Sequence, residues 1–411
     1  MTTATVLAAW TGLTTRSARA EEPTPIPAPA LSPTAIAAPS PGPTSPPPVQ
    51  PAGPDDPLSL HLGPDARLSL HPLVQGDARF FLAGGTNVFT PRRVRPAVEA
   101  LLFDRFFVRI TPELAGTPSA VDAFIEFRLA SELQVRVGKF KSPVGLERLQ
   151  QDADLAIVER GLQSGLLPDR DVGVQLQGTI ARGILTYAIG LFDGAGDAQQ
   201  IDTDIDDKKD VEGRLFVRPF AGDPRSILRN VGIGFGATTG VHSGVLPGYK
   251  TGGQNTFFAF AATATAGGTE TRLAPQLGAY VGPIGVLAEY AHNAEAITNA
   301  GTTATIALDA WSAALAVVVT GEDATYGTLK PNHRFDPDHG GFGALELDAR
   351  ASGFSADDAI FTQGFADPNK APHKALELSG GAQWILAPGV KWVLDGIFTS
   401  FTGGAPQGCR I

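Results

Sequence analysis

From about Arg67 onward the chain alternates apolar and polar residues with a period of two. That period belongs to strands with one apolar face, not to helices. Val121, Ala123, Ile125, Phe127 and Leu129 form one face of such a run, and Asp122, Glu126 and Arg128 the other. Phe106, Val108 and Ile110 alternate with Arg105, Arg109 and Thr111, and Leu345, Leu347 and Ala349 alternate with Glu346, Asp348 and Arg350. Gly, Asp, Asn and Pro clusters punctuate the runs. Fifteen candidate strands result, near 67–80, 89–100, 105–114, 119–129, 132–141, 171–180, 183–193, 210–220, 229–241, 272–281, 284–295, 308–319, 342–354, 374–385 and 389–401. No apolar run approaches the ~18 residues of a spanning helix. A soluble sandwich would turn the apolar faces inward, and a membrane barrel would turn them toward lipid around a polar lumen. The opposite faces carry too many Arg, Asp and Glu for a dry core. Short connections also alternate with long polar ones, Asp193–Asp210, His242–Asn255 and Glu322–His339. Both features point to an all-β fold, a transmembrane antiparallel β-barrel in the bacterial cell outer membrane.

The N-terminal part has a different composition. Residues 1–20 hold a short apolar core, Val6 to Leu13, then Ala18-Arg19-Ala20, which reads as a signal peptide even though no Lys or Arg precedes the core. Residues 21–60 read as a Pro-rich disordered linker: 14 of the 33 prolines lie between Pro23 and Pro57, with too little apolar surface to offset ordering entropy. Residues 61–411 are the barrel. The single Cys409 excludes a disulfide framework and a Cys-based zinc site. The balance of 32 basic and 42 acidic residues, net −10, argues against a nucleic-acid partner. There is no HExxH, GxSxG or P-loop, so no catalytic residues, metal ligands or cofactors are assigned and no enzyme is expected. The acidic run Asp202–Asp207 lacks the Gly and the final Glu of a calcium loop. Gly232, Gly234 and Gly236 fall within a strand pattern rather than a dinucleotide loop.

One stretch is more specific. Residues 137–178 read VGKFKSPVGLERLQQDADLAIVERGLQSGLLPDRDVGVQLQG. Three blocks in it, Gly138-Lys139-Phe140-Lys141 with Gly145-Leu146-Glu147, then Val158-Glu159-Arg160 with Leu162, then Asp171-Val172-Gly173-Val174-Gln175, resemble the phosphate-selective porin O and P family. Arg92-Arg93 within Phe89–Val94 is similar to the family's double-Arg strand, and Gly190–Gly194 to its strand end. The resemblance spans roughly residues 65–401. It implies a sixteen-stranded, homotrimeric barrel whose third loop, between Lys141 and Asp171, folds into the lumen. It also implies Arg92, Arg93, Glu159 and Arg160 as constriction residues. The residues agree about the loop: Leu146, Leu149, Leu155, Ile157, Val158, Leu162, Leu166 and Leu167 need burial that a free loop would deny them.

A pore selects anions with fixed positive charge at a narrow point, and the planar guanidinium fork suits oxyanions. Between Pro91 and Gln150 lie ten Lys or Arg and seven acids, a local +3 in a chain of −10. Arg92, Arg93, Arg95, Lys139, Lys141, Arg148, Glu159 and Arg160 are therefore the candidate anion-binding constriction. Alternation places Arg105, Arg109, Arg128, Arg136, Arg214 and Arg218 along the lumen wall, where they also suit plain salt-bridge ladders. Gly138 reads as a β-bulge, since without one Lys139 and Lys141 would share the lipid face of Val135 and Val137. The expected partners are inorganic phosphate or other small anions, and outer-membrane lipid and lipopolysaccharide. The open alternatives are a general diffusion porin and a soluble β-rich binding protein. Bacterial barrels have an even number of strands and the pattern yields fifteen. The chain closes on Gly403–Ile411 with no aromatic-ended strand, so the last strand is expected to be missing and the barrel C-terminally truncated.

Overall fold

The computed structural model describes residues 58–63, 65–82, 85–200 and 207–404. The signal and most of the linker read from the sequence, the end of the chain beyond residue 404, and the acidic run from 202 to 206 lie outside the described residues. The strands are β1 (Ser59–His61), β2 (Ala66–Arg79), β3 (Val88–Leu102), β4 (Phe106–Glu113), β5 (Ser119–Ala130), β6 (Leu133–Lys141), β7 (Arg170–Ile180), β8 (Leu185–Phe192), β9 (Asp210–Val217), β10 (Val231–Val245), β11 (Tyr249–Lys250), β12 (Thr256–Phe258), β13 (Thr265–Val281), β14 (Ile284–Asn299), β15 (Thr302–Val318), β16 (Ala344–Ala356), β17 (Lys374–Ala387) and β18 (Val390–Thr402). All but β11 and β12 join one sixteen-stranded antiparallel sheet in chain order, and β11 and β12 form a separate hairpin. Each of the fifteen segments picked out by alternation is a strand of that sheet. The sixteenth, β1, is a three-residue strip paired to β2 through Ser59↔Ser69 and His61↔Arg67, so the sheet begins inside the stretch read as linker. Among the described residues no register joins β18 to β1 or β2.

The outward faces follow from the period. In β5, Ala123, Ile125, Phe127 and Leu129 lie on the more accessible side, whereas Asp122, Phe124 and Glu126 are buried. Trp311, Leu315, Leu347, Leu376, Leu378, Trp392 and Leu394 continue the exposed apolar belt, as a wall facing lipid requires. Turns at one end include Ser131–Glu132, Gly282–Pro283 and Pro388–Gly389. At the other end lie the connections 142–169, 193–209, 246–264 and 357–373.

Two sequence expectations need correction here. Residues 319–343, containing Glu322–His339, belong to the short-turn end, because β14 and β15 are joined at the long-loop end by the tight turn Ala300–Gly301, both at positive φ (50° and 84°). The Ala/Thr-rich stretch from 296 to 307, left between the candidate strands 284–295 and 308–319, is paired strand on both sides of that turn. Nor is the interior polar throughout. Ile297, Ile306, Leu308 and Phe354 face inward and pack with Val144, Leu162, Leu166 and Leu167 of the third loop and with Tyr249, Phe257 and Phe258 of the β11–β12 hairpin. This dry cluster buries Leu162, Leu166 and Leu167; Leu146, Leu155, Ile157 and Val158 are buried elsewhere under the loop, and Leu149 is half-buried.

Candidate functional site

The third loop leaves β6 at Ser142 and returns at Asp169, with one turn of helix, α1 (Leu146–Leu149), near its start. It crosses the lumen and is pinned to the far wall. Glu289 of β14 accepts from the Leu146 N–H at 2.6 Å, Gln276 of β13 bonds the Val144 carbonyl, and Arg350 of β16 donates to the Glu159 carbonyl at 2.6 Å. Val158 N–H donates to Asp395 of β18 at 2.8 Å. From the short-turn end, Tyr326 reaches up and donates to the Leu146 carbonyl at 2.6 Å, while Thr328 donates to Asp154 at 2.8 Å.

Opposite this anchorage the loop meets β2 and β3. The register there steps from Gln75↔Arg93 to Gly76↔Pro91, so Arg92 is an extra, unpaired residue. Pro91 has no N–H to lose from the ladder, which suits it to a bulge. A bulge lets neighbouring side chains share a face, and both guanidiniums here reach the loop carboxylates. Arg92 grips Glu159 in a two-point fork, Nε to Oε1 at 2.7 Å and Nη2 to Oε2 at 3.2 Å. Arg79 adds a contact to Glu159 at 3.1 Å, and Arg93 lies 3.8 Å from it. Asp152 is a second hub, bonded to Arg160 at 2.6 Å, joined to Arg95 by an ion pair and 3.6 Å from Arg93. Arg95 also bonds Glu113 at 2.7 Å, and Arg79 bonds Asp77 at 2.8 Å. Lys141 donates to the Gln150 carbonyl at 2.7 Å, which also accepts from Arg160 at 2.9 Å.

The loop's ionisable groups respond to this setting. Burial alone would raise the Asp152 carboxyl, but Arg93, Arg160 and Arg95 outweigh it and hold the group well below the usual carboxylate range. Burial is likewise overcome at Glu159, which Arg92 and Arg93 hold below its ordinary value. Asp154, with fewer cations near it, is pushed up by burial.

The structure thus brings together Arg92, Arg93, Arg95, Glu159 and Arg160, with Lys141 joined through Gln150. Arg148 faces away: it donates to the Ser164 carbonyl at 2.9 Å and lies 3.7 Å from Asp169. Lys139 is buried in β6 opposite Ala123 and Val172. Within the loop the labour is divided, and the expectations for Gly138 and Arg105 change. Glu159 holds Arg92 and Arg79, while Arg160 is oriented by Asp152. Gly138 inserts no extra residue, since the ladder runs unbroken past it; instead it takes φ +125°, where a Cβ would lie 2.3 Å from the Ala123 oxygen. Arg105 sits in a turn and donates to the Leu129 carbonyl at 3.3 Å rather than lining the lumen.

The remaining wall residues make local pairs. Arg109 bonds Glu99 at 2.9 Å. Arg128 and Arg136 share Glu126 at 2.8 and 2.5 Å and lie over the inward rings of Phe107 and Phe124. Arg214 donates to Gln276 at 2.8 Å and Arg218 to the Gly183 carbonyl at 3.1 Å. Sequence reasoning missed Asp152, Asp77, Arg79 and Glu113. Gln75, Asp77 and Arg79 share one face of β2 by simple alternation and could have been found; Asp152 lies in irregular backbone, where no period points to it.

The model of the family described as phosphate-selective porin O and P matches residues 82–395. No curated protein matches the sequence. Among solved structures, the chain is similar to the outer membrane channel DcaP of Acinetobacter baumannii, with 9% identity over 83% of this chain and 99% of that one and a TM-score of 0.49. It is similar to Salmonella typhi OmpF in complex with daunomycin, with 10% identity over 83% and 100% and a TM-score of 0.49. It is also similar to a loop-deletion mutant of Vibrio cholerae OmpT, with 11% identity over 82% and 100% and a TM-score of 0.47. A sixteen-stranded sheet with an exposed apolar belt, a loop carried across its interior, and a family match over most of its length lead to one conclusion: the chain belongs to the phosphate-selective porin O and P family of bacterial outer-membrane porins.

Proposed function

We propose that this porin passes small anions, phosphate among them, along the lumen past the charged cluster where the third loop meets the β2–β3 wall. The observation that supports this is the charge balance there. Six cations, Arg79, Arg92, Arg93, Arg95, Lys141 and Arg160, face four carboxylates, Asp77, Glu113, Asp152 and Glu159. Lys141 has no carboxylate within 4 Å among the described residues, and Arg92 is the most accessible of the paired guanidiniums, with 29% of its side chain exposed. A passing phosphate would exchange water for charge-assisted hydrogen bonds to these groups. The carboxylates keep the site from holding the ion too tightly to release it. No cofactor, metal or nucleic acid enters this reading, and three copies of the chain would assemble as a homotrimer in lipid and lipopolysaccharide.

A second reading, a general diffusion porin, is favoured by the pairing of every guanidinium in the cluster with a carboxylate. The reversal potential of a planar bilayer holding the channel across a KCl gradient separates the two. An anion-selective value supports the first reading; a value near zero or cation-selective supports the second.

A further inference from the structure

The connection from β9 to β10, residues 218–230, is with 319–343 one of two long connections at the short-turn end, where turns such as Ser131–Glu132, Gly282–Pro283 and Pro388–Gly389 suffice between other strands. It reads Arg-Pro-Phe-Ala-Gly-Asp-Pro-Arg-Ser-Ile-Leu-Arg-Asn. Three of its large apolar side chains are open to the surroundings: Ile227 is 77% exposed, Phe220 46% and Leu228 39%. Apart from Arg218, which is buried on the inward face, it carries exposed Arg225 and half-buried Arg229 against Asp223 alone, and exposed Arg182 stands in the adjoining turn.

The segment is built rather than loose. Arg218 N–H donates to the Ile184 carbonyl at 2.7 Å, tying the two turns together, and successive bonds Ser226→Asp223, Arg229→Ser226 and Val231→Leu228 fold it on itself. The Asp223 carboxylate is spent on the Arg225 backbone N–H at 2.9 Å. The Arg225 guanidinium has no hydrogen bond or ion pair among the described residues. On the adjacent strands Leu215, Val217 and Ile233 are exposed on the outer wall, so Phe220, Ile227 and Leu228 carry that apolar surface past the strand ends. An apolar strip that ends in cations is the arrangement that seats at a membrane interface and attracts anionic headgroups.

We propose that residues 218–230, with Arg182, bind the phosphodiester headgroup of an anionic phospholipid in the leaflet at the short-turn end, with Ile227 and Phe220 set among its acyl chains. This assignment is independent of which ion the pore passes.

The test is native mass spectrometry of the full-length protein folded in detergent, titrated with phosphatidylglycerol, with phosphatidylcholine and with inorganic phosphate. The wild type should retain phosphatidylglycerol over phosphatidylcholine. Arg225→Gln should cut that retention about fivefold, the effect of one cation near an anionic surface. Arg182→Gln/Arg225→Gln/Arg229→Gln should abolish the preference, and Ile227→Ser should weaken both lipids alike. Heat-modifiable migration and single-channel conductance should not change. Equal retention of the two lipids by the wild type would overturn the proposal, and so would retention unaffected by Arg225→Gln. Displacement of phosphatidylglycerol by millimolar inorganic phosphate would reassign the turn as a free-phosphate site. If the triple variant does not fold, the exposed Arg225→Gln, whose side chain makes no hydrogen bond or ion pair among the described residues, decides alone.

Discussion

At the scale of single residues, the constriction rests on two carboxylates, each shared among several guanidiniums. Glu159 and Asp152 are buried, and each is stable as an anion only because the cations are fixed around it. Breaking a buried ion pair by removing one partner typically costs about 3–5 kcal/mol, because the other charge is left unpaired. Glu159→Gln keeps an acceptor for Arg92 but deletes the charge. It is therefore expected to lower the temperature of heat-modifiable migration while moving the reversal potential toward anions; a potential unchanged in a folded channel would remove Glu159 from the permeation path. Gly138 is equally local. At φ +125°, with the Ala123 oxygen where a Cβ would go, Gly138→Ala should strain the strand by about 1–3 kcal/mol. Urea titration of the barrel would read that loss, and an unaltered midpoint would show that the strand relaxes freely.

At the scale of elements, alternation revealed the fifteen long strands because each strand of a lipid-facing wall repeats the same two-residue signal. It fell short where composition and pairing disagree: residues 296–307 have few large apolar residues, yet the β14–β15 ladder continues through them up to the Ala300–Gly301 turn. The β11–β12 hairpin was invisible as structure, since its strands have two and three residues and their apolar side chains pack inward on the loop leucines. That packing carries a prediction. Leu166→Ala or Phe258→Ala should each cost about 2–5 kcal/mol of local stability, as buried large-to-small changes do. The readout is faster proteolysis of the third loop in otherwise folded channels; wild-type resistance would mean that the cluster does not hold the loop. Acid should loosen the same loop. Asp152 and Glu159 have folded-state pKa values below their unfolded ones, so their stabilisation is complete above the ordinary carboxylate range near 4. It is lost as pH falls through the depressed values. Open-channel noise should stay flat from neutral pH down to about 5 and rise below about 4; noise that rises instead with increasing pH would contradict that sign.

At the scale of the whole molecule, the third loop does more than narrow the lumen. Val158 is held by Asp395 on β18 while the next residue, Glu159, is held by Arg79 on β2, so one loop links the first long strand to the last. The motif Val158-Glu159-Arg160 was legible in the sequence, but its division of labour was not. Glu159 faces the bulged β3 wall and Arg160 turns to Asp152, a choice set by the path of the backbone across the lumen. The double Arg was legible as a pair, yet only the register step at Pro91 explains how both side chains serve one site. The account's central claim is that Arg92 and Lys141 present positive charge to ions in transit. It is tested most directly by phosphate block of chloride current through single channels in planar bilayers, comparing wild type with Arg92→Ala/Lys141→Ala. Losing a charge-assisted contact should weaken block by about 1.5–3 kcal/mol, roughly tenfold or more, with chloride conductance retained. Block that is absent from the wild type, or equal in the two channels, would contradict the claim and leave these residues as lumen salt bridges.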